Sequence, residues 1–263
     1  MMTLRHPSIL QTMGGDWMGT GHSAQNLIVL ELCSLGDLRG VLKKFGKVCP
    51  WVDRMNAAQR SEAEMTLRSS SGAHTEKIGW ASQIAQGVVY LHSRTPPILH
   101  MDLKCTNVLV AAGYQMKITD FGESERKSST TARNAAGTPY FMAPEVFAGD
   151  GRFDERCDAY SFSLLLLEMH NHGDVGAFFV AQGGQKMSAN AVMAQTANGG
   201  RPDLTRLKEE SLKEEVTSMP AGLVNLVKKG WSQNPSDRPS FKEMKSELSR
   251  IRASEKLAAM GEG

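Results

Sequence analysis

His100-Met101-Asp102-Leu103-Lys104-Cys105-Thr106-Asn107 is the stretch on which the reading of this chain turns. It sets a carboxylate, an ammonium and a side-chain amide close together, just after a helical pattern and the turn Pro96-Pro97. Two further motifs follow in order. Thr119-Asp120-Phe121-Gly122 succeeds a strand-like run, and Gly137-Thr138-Pro139-Tyr140-Phe141-Met142-Ala143-Pro144-Glu145 succeeds a loop rich in serine and threonine, Ser128 to Thr131. The spacing is 18 residues from Asp102 to Asp120 and 25 from Asp120 to Glu145.

These residue types suit transfer of a phosphoryl group. The group is highly charged and needs a divalent metal, and Mg²⁺ prefers hard oxygen ligands. Asp120 and Asn107 offer a carboxylate and an amide oxygen. The attacking hydroxyl must be oriented and must lose its proton, and Asp102 is the acceptor. Lys104 meets the transferring phosphate as a point charge. Catalysis of this kind is mostly positioning and electrostatics.

Outward from this centre, periodicity predicts a mainly helical body with a little β-structure. Asn26 to Leu32 reads as a buried strand and Leu38 to Phe45 as a helix. Residues 46 to about 75 are polar and irregular, which predicts a surface insert. From Glu76 to Ser93 the residues Ile78, Ala81, Ile84, Ala85, Val88 and Leu91 recur at helical spacing. Val108 to Ala111 and Gln115 to Thr119 read as short strands joined around Gly113. Ala159 to Met169 is apolar on nearly every side and predicts a helix inside the core. A last helix starts at a capping box, Ser240 with Glu243, and carries a buried stripe of Phe241, Met244, Leu248, Ile251 and Leu257. The end beyond Met260 is expected to fray.

Composition is that of a soluble globular chain: 263 residues, 41% hydrophobic and 22% charged. A formal net charge of +2 argues for neither nucleic acid nor a membrane surface as partner. Cys33, Cys49, Cys105 and Cys157 form no C-x-x-C pair, so they predict reduced thiols and a cytoplasmic setting. The N-terminus has no signal-peptide pattern. The most apolar stretch, Phe162 to Met169, contains Glu168 and is too short to cross a bilayer. Histidines such as His22, His74 and His170 read as surface or packing residues.

The ordered set H-x-D-L-K-x-x-N, D-F-G and A-P-E resembles that of the eukaryotic protein kinases. Lys104 and Gly137-Thr138-Pro139-Tyr140 resemble the serine/threonine type, and Trp231 to Phe241 the tyrosine-kinase-like group. The resemblance implies an α+β, protein-kinase-like fold with ATP and Mg²⁺ as cofactors and a serine- or threonine-bearing protein as substrate. Asp102, Lys104, Asn107 and Asp120 are its implied catalytic residues, and Asn107 and Asp120 its metal ligands. The nucleotide would meet Leu30 as gatekeeper, Glu31 and Cys33 at the hinge, Asp37 at the ribose, Leu109 as floor, and Thr119 beside Asp120. Asp158 would anchor the catalytic loop, and Arg238 would pair with Glu145. His6-Pro7-Ser8-Ile9-Leu10 resembles the loop before the fourth strand of the small lobe.

The implied organisation is a partial N-lobe and hinge (1–35), a helical C-lobe (36–252) and a tail (253–263). Only about two strands of the β-rich lobe are expected. Its Gly-rich loop and strand lysine would both precede His6, and no residue here takes either role. Gly14-Gly15, Gly19 and Gly21 form no G-x-G-x-x-G. Met101 stands where the family has an arginine that receives an activation-loop phosphate. Activity independent of phosphorylation at Ser128, Ser129, Thr130 or Thr131 is the expectation. Two functions follow: an active kinase, or a catalytically impaired, pseudokinase-like module that binds or regulates a partner kinase.

Overall fold

The structure is a computed structural model describing residues 4–18, 25–45, 70–121, 124–126, 138–148, 153–181, 184–207 and 219–261. Cys49, His22, the Ser128–Thr131 loop, Gly122, Gly137 and most of the 46–75 stretch lie outside the described residues.

Three small antiparallel pairs carry the β-structure. Strands β1 (Thr12–Met18) and β2 (Gln25–Leu30) form the first. Strands β4 (Val108–Ala111) and β5 (Gln115–Ile118) form a hairpin with Val108 opposite Ile118. Its connection uses Gly113 and Tyr114, at φ of 69° and 55°. Left-handed backbone costs glycine nothing, which is why the turn falls there. Strands β3 (Ile98–Leu99) and β6 (Glu125–Arg126) make a short third pair. The segment from His6 to Leu10 docks on β5: Ile118 donates to Ser8, and Leu10 to Ile118, both at 2.9 Å.

Helices build the rest: α1 (Leu38–Phe45), α2 (Ser70–His92), α3 (Pro144–Ala148), α4 (Arg156–His170), α5 (Ala189–Ala197), α6 (Ala221–Gly230) and α7 (Phe241–Gly261). Helix α4 is the axis of the core, with every residue from Cys157 to His170 buried. Helix α7 lies along α2, and the Arg252 guanidinium reaches the Thr75 carbonyl at 3.2 Å. Helix α6 packs on α4 at Gly230, where a Cβ would come within 2.7 Å of Met244 and closer still to Ser163 Oγ.

Several expectations change. Helix α2 begins at Ser70, so 70–75 belongs to a helix rather than to an irregular insert, and His74 and Thr75 are buried. The stripe on α7 stops at Ile251. Leu257 is 71% exposed, because nothing among the described residues packs on that end of the helix. The helix itself is described as far as Gly261, and the two residues after it lie outside the described residues. Strand β2, read as buried, exposes Leu27, Ile28, Val29 and Leu30, and Met13 on β1 is exposed beside them. Two strands alone leave both faces uncovered.

Candidate active site

The start of the turn at Asp102 is held to α4 by the side chain of Asp158. Asp158 has no solvent exposure. Its Oδ2 accepts the His100 N–H at 2.9 Å and lies 2.8 Å from His92 Nε2, and its Oδ1 accepts the Met101 N–H at 2.9 Å. Burial alone would raise this carboxyl's pKa. The hydrogen bond and charge of His92, together with the His100 contacts, outweigh burial and hold it below the usual range. Pinning two successive amides fixes the backbone so that Met101 sits at φ 70°, a left-handed conformation rare for its type. The Met101 side chain is buried, with Cys157 Sγ 3.5 Å from its sulfur.

His100 links this turn to the second motif. Its Nε2 lies 3.0 Å from the Thr119 carbonyl, which requires that nitrogen to carry the proton. Nδ1 is then the acceptor for the Asp102 N–H, at 3.3 Å. Complete burial lowers the His100 pKa, consistent with this neutral tautomer. The His100 ring lies 5.4 Å from that of Phe121. A backbone bond from Thr119 N to Asn107 O, 3.0 Å, closes the two segments together. Asp120 follows at φ 60°, exposed at the rim.

Asp102 is the centre of the hydrogen bonding. Its Oδ1 accepts from the Thr138 N–H (3.0 Å) and the Thr138 hydroxyl (2.9 Å). Its Oδ2 accepts from Lys104 Nζ (2.5 Å) and Asn107 Nδ2 (2.8 Å). Lys104 also reaches Thr138 Oγ1 at 2.5 Å. Burial pushes the Asp102 pKa up, but the Lys104 hydrogen bond and charge, with Thr138 and Asn107, leave it lowered. The carboxylate is therefore ionised at neutral pH. The Asn107 amide nitrogen is committed to Asp102 at both its backbone and side-chain oxygens.

The residues that the resemblance assigns to the nucleotide stand as follows. Asp37 Oδ1 caps α1 at the Gly40 N–H (2.9 Å), and Asp37 is bridged to Leu109. Leu109 is half-buried on the side of β4 opposite the buried Val108 and Val110. Bonds from Leu35 N to Val110 O and from Val110 N to Gly36 O tie the segment before α1 to β4. Glu31 pairs with Lys117 of β5 at 2.8 Å, and its N–H is used by Gln11 O. Leu30 and Cys33 flank Glu31, and burial raises the Cys33 pKa.

Arg238 and Glu145 meet as a two-pronged pair at 2.6 and 2.8 Å, and the guanidinium is fully buried 5.2 Å from the Tyr160 ring centre. Sequence reasoning missed four contributors: Thr138 as a partner of Asp102, His92, and the pair Arg39–Glu168. Glu168 had a usable signal, since the one acid in the apolar stretch Phe162 to Met169 needs a buried partner. Among the described residues no group of three or more His, Cys, Asp and Glu could hold a metal ion.

A helical lobe that presents a two-stranded floor and an ionised aspartate braced by lysine, asparagine and threonine has the architecture of a kinase catalytic lobe. Comparison with known sequences agrees: residues 1–248 match the family of protein tyrosine and serine/threonine kinases, and the chain belongs to it. It is 33% identical over 243 residues to the Arabidopsis thaliana serine/threonine-protein kinase CTR1, covering 92% of this chain and 24% of that protein. It is 30% identical over 244 residues to a Dictyostelium discoideum protein named a probable serine/threonine-protein kinase, covering 92% and 19%. It is 35% identical over 169 residues to the Mus musculus serine/threonine-protein kinase WNK2, covering 63% and 7%. The chain thus spans about a quarter or less of the length of these relatives.

Proposed function

We propose that this chain transfers the γ-phosphate of ATP to serine or threonine hydroxyls of protein substrates. The observation that carries the reading is the Asp102 cluster. An ionised carboxylate held from four directions is placed to orient a substrate hydroxyl and accept its proton. The lowered pKa makes Asp102 a weak base, so its role is chiefly alignment. Lys104 would meet the transferring phosphate. Mg²⁺ would take Asp120 and Asn107 Oδ1, both hard oxygen donors, and would supply neutralisation of phosphate charge. Leu30, Glu31, Cys33, Asp37, Leu109 and Thr119 would line the nucleotide. The serine/threonine names of the relatives and the Lys104 and Thr138-Pro139 pattern favour an aliphatic hydroxyl over a phenol.

This reading is tested by phosphate transfer from ATP to a generic serine/threonine substrate such as casein. Asp102→Asn should lower kcat by about 10²–10⁴-fold. Equal turnover by the variant would overturn the assignment.

A second reading is a regulatory module that binds a partner kinase. It is favoured by the apolar β1–β2 face, which is uncovered among the described residues. A rise in Tm with ATP·Mg²⁺ supports the first reading, and an unmoved Tm supports the second. No helix among the described residues is long and apolar enough to cross a membrane; a cytoplasmic location is part of both readings.

A further inference from the structure

Glu168 sits in the last turn of α4 with no solvent exposure. A carboxylate there costs several kcal/mol unless it is paired. Its Oε1 accepts Arg39 Nε at 2.7 Å, and a second guanidinium nitrogen of Arg39 closes the fork. Its Oε2 accepts the backbone N–H of Cys105 at 2.8 Å. The two partners belong to opposite sides of the site. Arg39 lies on α1, whose N-cap is Asp37 on the nucleotide side. Cys105 opens the tight turn Cys105–Asn107, between Lys104 and Asn107 on the phosphoryl-transfer side. Gly173, at φ 87°, packs behind Arg39, where a Cβ would lie 2.7 Å from Arg39 Cγ.

We propose that Glu168 is a positioning residue that joins α1 to the catalytic turn, so that Asp37 and the Asp102–Asn107 segment keep one relative placement. The role rests on the phosphoryl-transfer reading, but the contact does not. Both partners share one carboxylate, so a loosening of the α1 side reaches the catalytic turn through Glu168. A neutral glutamine in its place cannot accept from both partners with the same strength.

Amide hydrogen exchange of the 263-residue chain, read by NMR, tests this. Glu168→Gln should speed exchange at Cys105 by about tenfold or more, while Leu165 and Leu166 in α4 stay within about twofold. Arg39→Met should speed Cys105 exchange less, and Arg39→Lys should restore most of the protection. Asp37→Ala should speed Cys105 exchange in the wild-type background but add nothing to Arg39→Met. If Glu168→Gln does not fold, the Arg39 pair carries the comparison, since that side chain is already 32% exposed. Unchanged Cys105 exchange, or a uniform rise across α4, overturns the proposal. Exchange needs no turnover, so a fully active Asp102→Asn would sink the catalytic reading without touching this result.

Discussion

Each carboxylate oxygen of Asp102 takes two hydrogen bonds, and each of Asp158's anchors a different amide of the same turn. Both carboxylates are buried, and in both the hydrogen bonds and neighbouring charge outweigh burial and leave the pKa lowered. Glu145 is only partly buried, but its partner is wholly so. It neutralises Arg238, whose guanidinium has no exposure. Glu145→Ala should cost about 3 kcal/mol, because it leaves that charge unpaired in the interior. Urea denaturation with an unchanged slope and a lower midpoint is the expected result. At this scale the meeting of Asp102, Lys104 and Asn107 was legible, since their motif is local. Thr138, Glu168 and Arg39 were not. Their bonds to the catalytic turn or to each other span 36, 63 and 129 residues, a separation that no local spacing encodes.

Among elements, the strong periodicities were legible and the weak ones were not. Helix α4 announced its burial by being apolar all round, and α7 announced its start by the capping box, which forms: Ser240 N–H reaches Glu243 Oε2 at 2.7 Å. Strand β1 was implied by the resemblance, as the strand after His6 to Leu10, but not by its own residues, because Gly14-Gly15 in its middle argues against a strand. The ladder with β2 overrides that local preference. The first turn of α2 was missed because Ser70-Ser71-Gly72 reads as loop, whereas tertiary burial of His74 and Thr75 extends the helix. Gly230 gives a test at this scale. Gly230→Ala would drive a methyl into Ser163 and Met244 at the α4–α6–α7 junction. Overpacking there should cost about 1–3 kcal/mol and lower Tm, against the usual gain from replacing a helical glycine.

Over the whole molecule, buried histidines set the response to acid. Burial, with Lys77 adding repulsion, lowers His74 to about 4, and burial takes His170 well below its ordinary value. Burial also lowers His100 and His172. The rings of His74 and His170 stack 5.6 Å apart. The unfolded chain binds protons near pH 6.5 while the folded chain does not, so this stability is intact above about pH 6.5 and declines as pH falls toward about 4. Asp102 and Asp158, with lowered pKa values, add a further loss below about pH 4. Tm measured between pH 7.5 and 4.5 should fall, and His74→Phe should shrink the fall. A flat profile in the wild type would contradict the burial of these rings.

Sequence alone determined the kinase family, the order of its motifs and the types of atom proposed to handle metal and hydroxyl. Those properties reside in short stretches whose chemistry needs fixed spacing. Tertiary structure alone decided that Thr138 braces Asp102, that Glu168 and Arg39 tie α1 to the catalytic turn, that His74 and His170 stack in the interior, and that the β1–β2 face stays uncovered among the described residues. Each of these depends on which distant segments meet, and folding settles that through burial and pairing of charges rather than through any local pattern.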